Sequence, residues 1–482
     1  MPFALNTIPV KNMSYRTEHD ILGTKEIPDS VYYGIHTARA LENFPVSGYR
    51  INPVFIHALG LVKKACLLTN HELGYIKEEL FGVILQATDE VIANTLDEHI
   101  VVDPLQGGAG TSTNMNINEV IANRALEIGG KPKGDYKYIH PLRHINLHQS
   151  TNDVYPTAIK VAGLILLNDA ERIISELQNQ LQNKEKQFAH IPKTGRTQLQ
   201  DAVPLTLGRT FSAFADAIGR DRWRVFKSRE RLRVVNLGGT MIGTGISAPR
   251  DYIFLVTEKL RDITGLNISR SENLIDATQN HDPFVEVSAI MKAHAVNLRK
   301  MCSDLRYLSS GPRTGLGEIS LAPLQAGSSV MPGKVNPVIP EMVEQCAVKI
   351  IANDLIVAET ASRGELELNA FLPLLNFAFI ESLQLVIKAD EILIEKCIKK
   401  IEANKNVCRH NLKRSFGVLT GLLPIFGYET VEKIAYSAHK TGRDPVVIIE
   451  EMGLMNKDEI KRFLSAENFS RLGFEPPKVR GN

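Results

Sequence analysis

From Phe284 onward, Phe284, Val287, Met291, His294, Leu298, Met301, Leu305 and Leu308 recur at alternating steps of three and four. That spacing lines one face of a helix for about seven turns, interrupted by a single histidine. A second stripe, Ile159, Ala162, Leu166, Ala170, Ile173, Leu177, Leu181 and Phe188, meets no proline after Pro156. A helix from Pro156 to His190 would be roughly 50 Å long at ~1.5 Å per residue. Uninterrupted helices of that length belong to a long bundle or a coiled assembly. Further helical tracts run from Glu341 towards Ala361 and from Phe377 towards Ala403. Strand-like alternation is sparse, so the chain reads as mainly α.

The two ends differ from this middle. Up to about Asn146 the segments are shorter and separated by turn clusters such as Ile27-Pro28-Asp29-Ser30. Beyond about Lys405 the helices are short and separately capped: Asp444-Pro445 reads as N-cap and first helical residue, and Asn456 with Glu459 as a capping box. The division expected is an N-terminal domain (1–146), a central bundle of long helices (147–405) and a small helical C-terminal domain (406–482). A chain of 482 residues is long enough for this.

Charge excludes some functions. Lys and Arg total 56 against 54 Asp and Glu, a net charge of +2. That balance gives no reason to expect nucleic acid or a membrane surface as partner. The opening Met1-Pro2-Phe3-Ala4-Leu5-Asn6 lacks the basic then apolar pattern of a secretory signal, and the densest apolar run, Val161 to Leu167, is too short to span a bilayer. Cys66, Cys302, Cys346, Cys397 and Cys408 are odd in number, widely spaced and free of any Cys-x-x-Cys, against disulfide staples or a cysteine metal site. The expectation is a reduced, cytoplasmic protein.

Four polar clusters stand outside the apolar stripes. Gly107-Gly108-Ala109-Gly110-Thr111-Ser112-Thr113-Asn114 precedes a helix ending near Gly129-Gly130 and offers free N–H groups and hydroxyls, a seat for a carboxylate. Gln149-Ser150-Thr151-Asn152-Asp153 precedes the long helix. Gly195-Arg196-Thr197-Gln198-Leu199-Gln200-Asp201 connects two long helices. The fourth, Gly327-Ser328-Ser329-Val330-Met331-Pro332-Gly333-Lys334-Val335-Asn336-Pro337, is too rich in glycine and proline to be anything but a loop. Taken singly, the first reads as a glycine-rich turn with a Ser/Thr cap, the second as a helix cap and the third as a polar connection. Together they put Ser, Thr and Asn side chains at the ends of long helices, suited to a small oxygen-rich anion, with Lys334 as cation. Two tempting motifs fail. The last loop is no Walker A sequence, because five residues separate its glycines and Val335 replaces the Ser or Thr. His140, His144 and His148 repeat every four residues, but Pro141 argues against one helix through them. His294, within the seam, reads as a satisfied buried polar group.

Residues 327–336 resemble the GSSxMPxKxN fingerprint of the fumarase/aspartase superfamily, and the other three clusters resemble its substrate-contacting regions in the same order. The likeness runs from about Tyr15 into the C-terminal domain. Within the superfamily it is to the aspartase (aspartate ammonia-lyase) branch. Gln198 follows Arg196-Thr197 where fumarases carry histidine, Val338-Ile339-Pro340-Glu341 stands where fumarases usually show Thr-Gln-Cys-Glu, and Gly107 to Ser112 has the aspartase form. Argininosuccinate and adenylosuccinate lyases share only the serine loop.

The resemblance implies a three-domain fold whose long helices assemble into a tetrameric core, with each active site shared between three subunits. It implies reversible deamination of L-aspartate to fumarate and ammonia, Ser328 being the general base that takes the Cβ proton through an aci-carboxylate intermediate. Thr111, Ser150, Thr151, Asn152, Thr197, Gln198, Ser329, Lys334 and Asn336 would bind the dicarboxylate. No cofactor is required, although a divalent cation such as Mg2+ activates some members. The sequence departs from the family pattern at Pro141-Leu142-Arg143-His144, at His148 and at Leu419-Thr420-Gly421-Leu422-Leu423-Pro424. Those departures keep open a lyase for a substituted aspartate or other amino-succinate. A class II fumarase and a catalytically silent structural homologue are two further readings.

Overall fold

The computed structural model describes residues 14–473; the N-terminal stretch read above for a signal lies outside them. Among the described residues there are 17 α-helices and ten short strands, every strand paired in a two-stranded sheet. The chain forms two compact units, each discontinuous in sequence. One comprises Met1–Ala170, Val225–Lys292 and Lys349–Leu385; the other comprises Glu171–Arg224, Ala293–Val348 and Val386–Asn482.

Five helices dominate: Thr151–Phe188, Leu207–Leu232, Asp282–Leu308, Val338–Ala361 and Leu372–Lys396. The seam of Asp282–Leu308 is closed along its length, its least buried member being Leu308 at 7% exposure. Burying each such Leu, Met or Phe contributes about 1.5–3 kcal/mol over leaving it in water. The eight stripe positions of Thr151–Phe188 are likewise buried.

That helix starts five residues before the expected position, with Pro156 inside it. A proline there removes the hydrogen bond to the carbonyl of Asn152 four residues back, and interior prolines cost ~3 kcal/mol. The Asn236 amide compensates by donating to the Asn152 carbonyl at 2.9 Å. The fourth long tract ends at Lys396 rather than near Ala403, which lies in a short strand pairing with Ile319–Ser320. By length and composition Leu372–Lys400 is apolar enough to cross a membrane, but 61% of its apolar window is buried within the protein, as befits a core helix.

The C-terminal helices share a core of their own, including Leu412, Val418, Leu422, Ile434, Ile449 and Ile460. Asn456 and Glu459 form the expected capping box. Asp444 occupies the N-cap position of Pro445–Glu451 as expected, but its side chain makes no capping bond.

Candidate active site

The glycine-rich cluster leads into the helix Thr111–Ile128, and Gly110 is its N-cap with φ 93°. Only glycine suits this position, since a Cβ would lie 2.6 Å from the Tyr155 ring. Thr111, Ser112 and Thr113 therefore form the first helical turn instead of capping it. Gln106 supplies the cap, its Oε1 accepting from the Thr113 N–H at 3.0 Å. The Thr111 hydroxyl remains exposed at the positive end of the helix.

The second cluster opens the 38-residue helix by a reciprocal arrangement. Ser150 Oγ accepts from the Asn152 N–H at 3.2 Å, and Asp153 Oδ1 accepts from the Ser150 N–H at 2.9 Å. The other Asp153 oxygen accepts from the N–H groups of Gly238 and Thr240, both at 3.1 Å. Asp153 is fully buried, and burial pushes its carboxyl up to about 7 against the pull of these N–H groups and of Lys63. Asn152 Nδ2 donates to the Met241 carbonyl at 2.7 Å. Asn114 Nδ2 donates to Thr151 Oγ1 at 3.0 Å, which joins the first cluster to the second.

Thr197 and Gln198 stand on a β-hairpin, Pro192–Thr197 paired with Gln200–Thr206, where the sequence suggested a plain connection. Gln198 and Leu199 form its two-residue turn at φ 53° and 62°. A turn of this kind asks for Asn-Gly, so two larger side chains hide it from sequence reading and carry left-handed strain. The hairpin is anchored by the fully buried Glu318, which pairs with Lys193 at 3.1 Å and Arg196 at 2.9 Å. Thr197 and Gln198 are exposed.

The serine loop is closed at its neck. The Gly327 N–H donates to the Lys334 carbonyl at 2.8 Å, and Asn336 Nδ2 donates to the Gly327 carbonyl at 2.7 Å. A side chain at Gly327 would collide with the Lys334 carbonyl at 2.6 Å. Inside the loop, Ser328 Oγ accepts two backbone N–H bonds, from Val330 at 3.1 Å and Met331 at 2.9 Å. Ser329 and Lys334 are exposed, and neither side chain has a partner among the described residues. Asn336 therefore holds the loop together with the same amide that the resemblance offers to substrate.

The histidines that looked like ligands have other occupations. His140 Nδ1 accepts from the N–H groups of Leu142 and Arg143, His144 Nδ1 accepts from the His140 N–H, and His148 Nδ1 shares a hydrogen with Asn70 Oδ1. His294 lies between Asp221 (3.1 Å) and Asp390 (3.0 Å) at zero exposure. Burial alone would push its pKa down; the Asp390 charge and the bonds to both carboxylates override that and hold it at about 10.

Sequence reading missed Lys63, Asn146 and Asn236. Lys63 is 2% exposed on the helix Pro53–Glu72, and its Nζ donates to Asn146 Oδ1 and Gln149 Oε1. The available signal was a Lys63-Lys64 pair inside the otherwise apolar run from Ala58 to Leu68.

A family model described as lyase matches residues 23–352. An aspartate ammonia-lyase from a Bacillus species is 43% identical over 462 residues, covering 96% of this chain and 99% of the relative. One from Helicobacter pylori is 46% identical over 455 residues, covering 94% and 97%. Among solved structures, the fumarate lyase:delta crystallin of Brucella melitensis bound to cobalt aligns with TM-score 0.89 at 44% identity, covering 94% of this chain and 98% of that one.

Proposed function

This chain belongs to the fumarase/aspartase family of lyases, and from that membership we propose that it converts L-aspartate reversibly into fumarate and ammonia. Near-full-length identity of 43–46% to aspartate ammonia-lyases carries the choice of substrate. Gln198 and Val338-Ile339-Pro340 support it over hydration of fumarate, because the histidine of fumarases is missing from the hairpin turn.

The difficult step is removal of a weakly acidic Cβ proton beside a carboxylate. Ser328 is the base. Its Oγ already receives the Val330 and Met331 N–H groups, and two such donors stabilise an alkoxide far more than a neutral hydroxyl. The alkoxide takes the Cβ proton, leaving an aci-carboxylate with two negative charges on one group. Collapse of that intermediate forms the Cα–Cβ double bond and breaks the Cα–N bond, so that the substrate's –NH3+ group leaves as neutral ammonia while Ser328 keeps the Cβ proton. Lys334, exposed and unpaired, anchors one carboxylate, with Ser329 and the free Oδ1 side of Asn336 nearby in the same loop. Thr111, Ser150, Thr151, Asn152 and Thr197 hold the β-carboxylate and the amino group, the first four at two helix starts where N–H dipoles favour negative charge. Thr197 and Gln198 contact the substrate without taking a proton from it. Val330 and Met331 are 87% and 59% exposed, an apolar tip suited to closing over bound substrate.

The long helices support a homotetramer with sites shared between three subunits. Val296, Tyr307, Val348 and Leu355 are 47–63% exposed on them, apolar surface that further copies would cover. The three-domain division and a cytoplasmic location complete the reading. Among the described residues no group of three or more His, Cys, Asp or Glu side chains is arranged to hold a metal ion.

The test is direct. Purified protein is incubated with L-aspartate, N-substituted aspartates or malate, and fumarate is followed by its ultraviolet absorbance. Turnover of malate alone overturns the proposal, preference for a substituted aspartate redirects it, and no turnover of any of them favours a silent homologue.

A further inference from the structure

We propose that Lys63 is a positioning residue for the substrate-binding helix start, its buried Nζ fixing Asn146 and Gln149 and, through Asn146 and Asn114, the hydroxyl of Thr151. The inference rests on the lyase reading for its kinetic arm only. Lys63 lies among buried apolar neighbours of its own helix, Leu59, Val62, Cys66 and Leu67. No carboxylate pairs with it among the described residues; its partners are neutral amide oxygens at 3.0 Å on Asn146 and 2.8 Å on Gln149. Burial pushes its pKa down to about 7 against the opposing pull of Cys66 and the Asp153 charge, and in either protonation state Nζ has hydrogens for both amide oxygens. A methionine would fill the same volume without that cost, so the N–H donors are what lysine adds at this position.

Lys63 Nζ donates to both amide oxygens, and as the ammonium it accepts nothing, so it sets which end of each amide faces it. Gln149 must present Oε1, leaving Nε2 to donate to the Ile145 carbonyl at 2.9 Å. Asn146 must present Oδ1, which also collects the amide N–H groups of Asn114 and Asn118, both at 3.2 Å. Asn114 thereby turns its amide nitrogen towards Thr151 Oγ1 as well. With its oxygen accepting from Asn114, the Thr151 hydroxyl has its hydrogen left to donate outward. Ser150 is in the same state, its oxygen accepting from the Asn152 N–H. Lys63 thus sets the polarity of the bonds that run through Asn146 and Asn114 to Thr151, whose hydroxyl is left to donate, as an anionic ligand demands; the Ser150 oxygen is set separately, by the Asn152 N–H of the helix itself.

The test compares wild type with Lys63→Met, Asn146→Ala and the double variant as full-length proteins. Hydrogen–deuterium exchange of residues 145–153 needs no turnover and should be faster in Lys63→Met while the remaining helices exchange as before. For L-aspartate, KM should rise at least tenfold with a smaller change in kcat, and the calorimetric Kd for succinate should rise by the same factor. The double variant should be no worse than the poorer single variant, since both break one chain of bonds. Asn146→Ala carries the same expectation should Lys63→Met fail to fold. Unchanged exchange and unchanged succinate affinity overturn the proposal, as do additive effects. Wild type inactive on L-aspartate refutes the lyase reading instead, and the exchange and succinate arms still decide Lys63.

Discussion

His294 and the Gly327–Asn336 loop lie in the same compact unit, built from equally polar residues, and differ in how their polar groups are occupied. The imidazole has both nitrogens engaged by carboxylates at zero exposure, and Asn297 braces Asp221 further at 2.9 and 3.0 Å. The loop spends its bonds on its own neck and on Ser328 Oγ, and leaves Ser329 and Lys334 open. A polar group saturated by protein partners serves the fold; one left unpaired in a shaped loop is available to a ligand. The contrast predicts that the two regions fail in opposite ways.

The largest effect is expected in the loop. Ser328→Ala should lower kcat about a thousandfold, within the range of a lost general base, and leave the melting temperature unchanged because Ser328 bonds only within its loop. Near-normal turnover would remove Ser328 as the base. The reciprocal experiment is His294→Leu, which leaves Asp221 and Asp390 buried without their cation. Stability should fall by about 3–5 kcal/mol in urea unfolding while KM of the folded fraction stays as in wild type. If instead activity fell with no loss of stability, the distinction between the regions would collapse.

The pH dependence of the seam follows from the same pair of carboxylates. The His294 pKa is raised from 6.5 to about 10, so folded protein binds the proton more tightly than unfolded chain. Its contribution is therefore fully present below about pH 6.5 and is lost as pH rises through about 10. Urea midpoints measured from pH 6 to 10 should fall more steeply for wild type than for His294→Leu. Parallel curves would show that the histidine is not charged. In the loop, Lys334→Ala should raise KM for L-aspartate roughly ten- to a hundredfold, as expected for losing a charged partner to a carboxylate, with little change in stability. An unchanged KM would sink its role as anchor.

Most of the helical scaffold was legible in the sequence, because a seam such as Phe284 to Leu308 encodes its own burial through spacing. The start of the longest helix was not, since Pro156 reads as a boundary until Asn236, 80 positions away, is seen to satisfy the freed carbonyl. The same limit applies at the site. Ser150, Ser328 and Lys334 announce themselves by local composition, whereas Lys63 acquires meaning only when Asn146 and Gln149 are folded onto it. Chemistry carried by one segment is readable; chemistry shared between segments needs the fold.

The hairpin turn at Gln198-Leu199 lies between the two extremes and yields the smallest, sharpest test. Both residues have left-handed backbone, φ 53° and 62°, where glycine would be relaxed. Leu199→Gly should therefore raise stability by up to about 1 kcal/mol, the relief of strain being partly offset by glycine's extra freedom in the unfolded chain. Gln198→Gly should give a similar gain, yet only Gln198→Gly should raise KM for L-aspartate if its amide contacts substrate as proposed. Differential scanning calorimetry and initial rates on the two variants separate these terms. Equal kinetic losses would mean that the turn's shape, rather than the Gln198 side chain, is what the substrate reads. A loss of stability in both would show that these residues are held by contacts their exposure does not reveal.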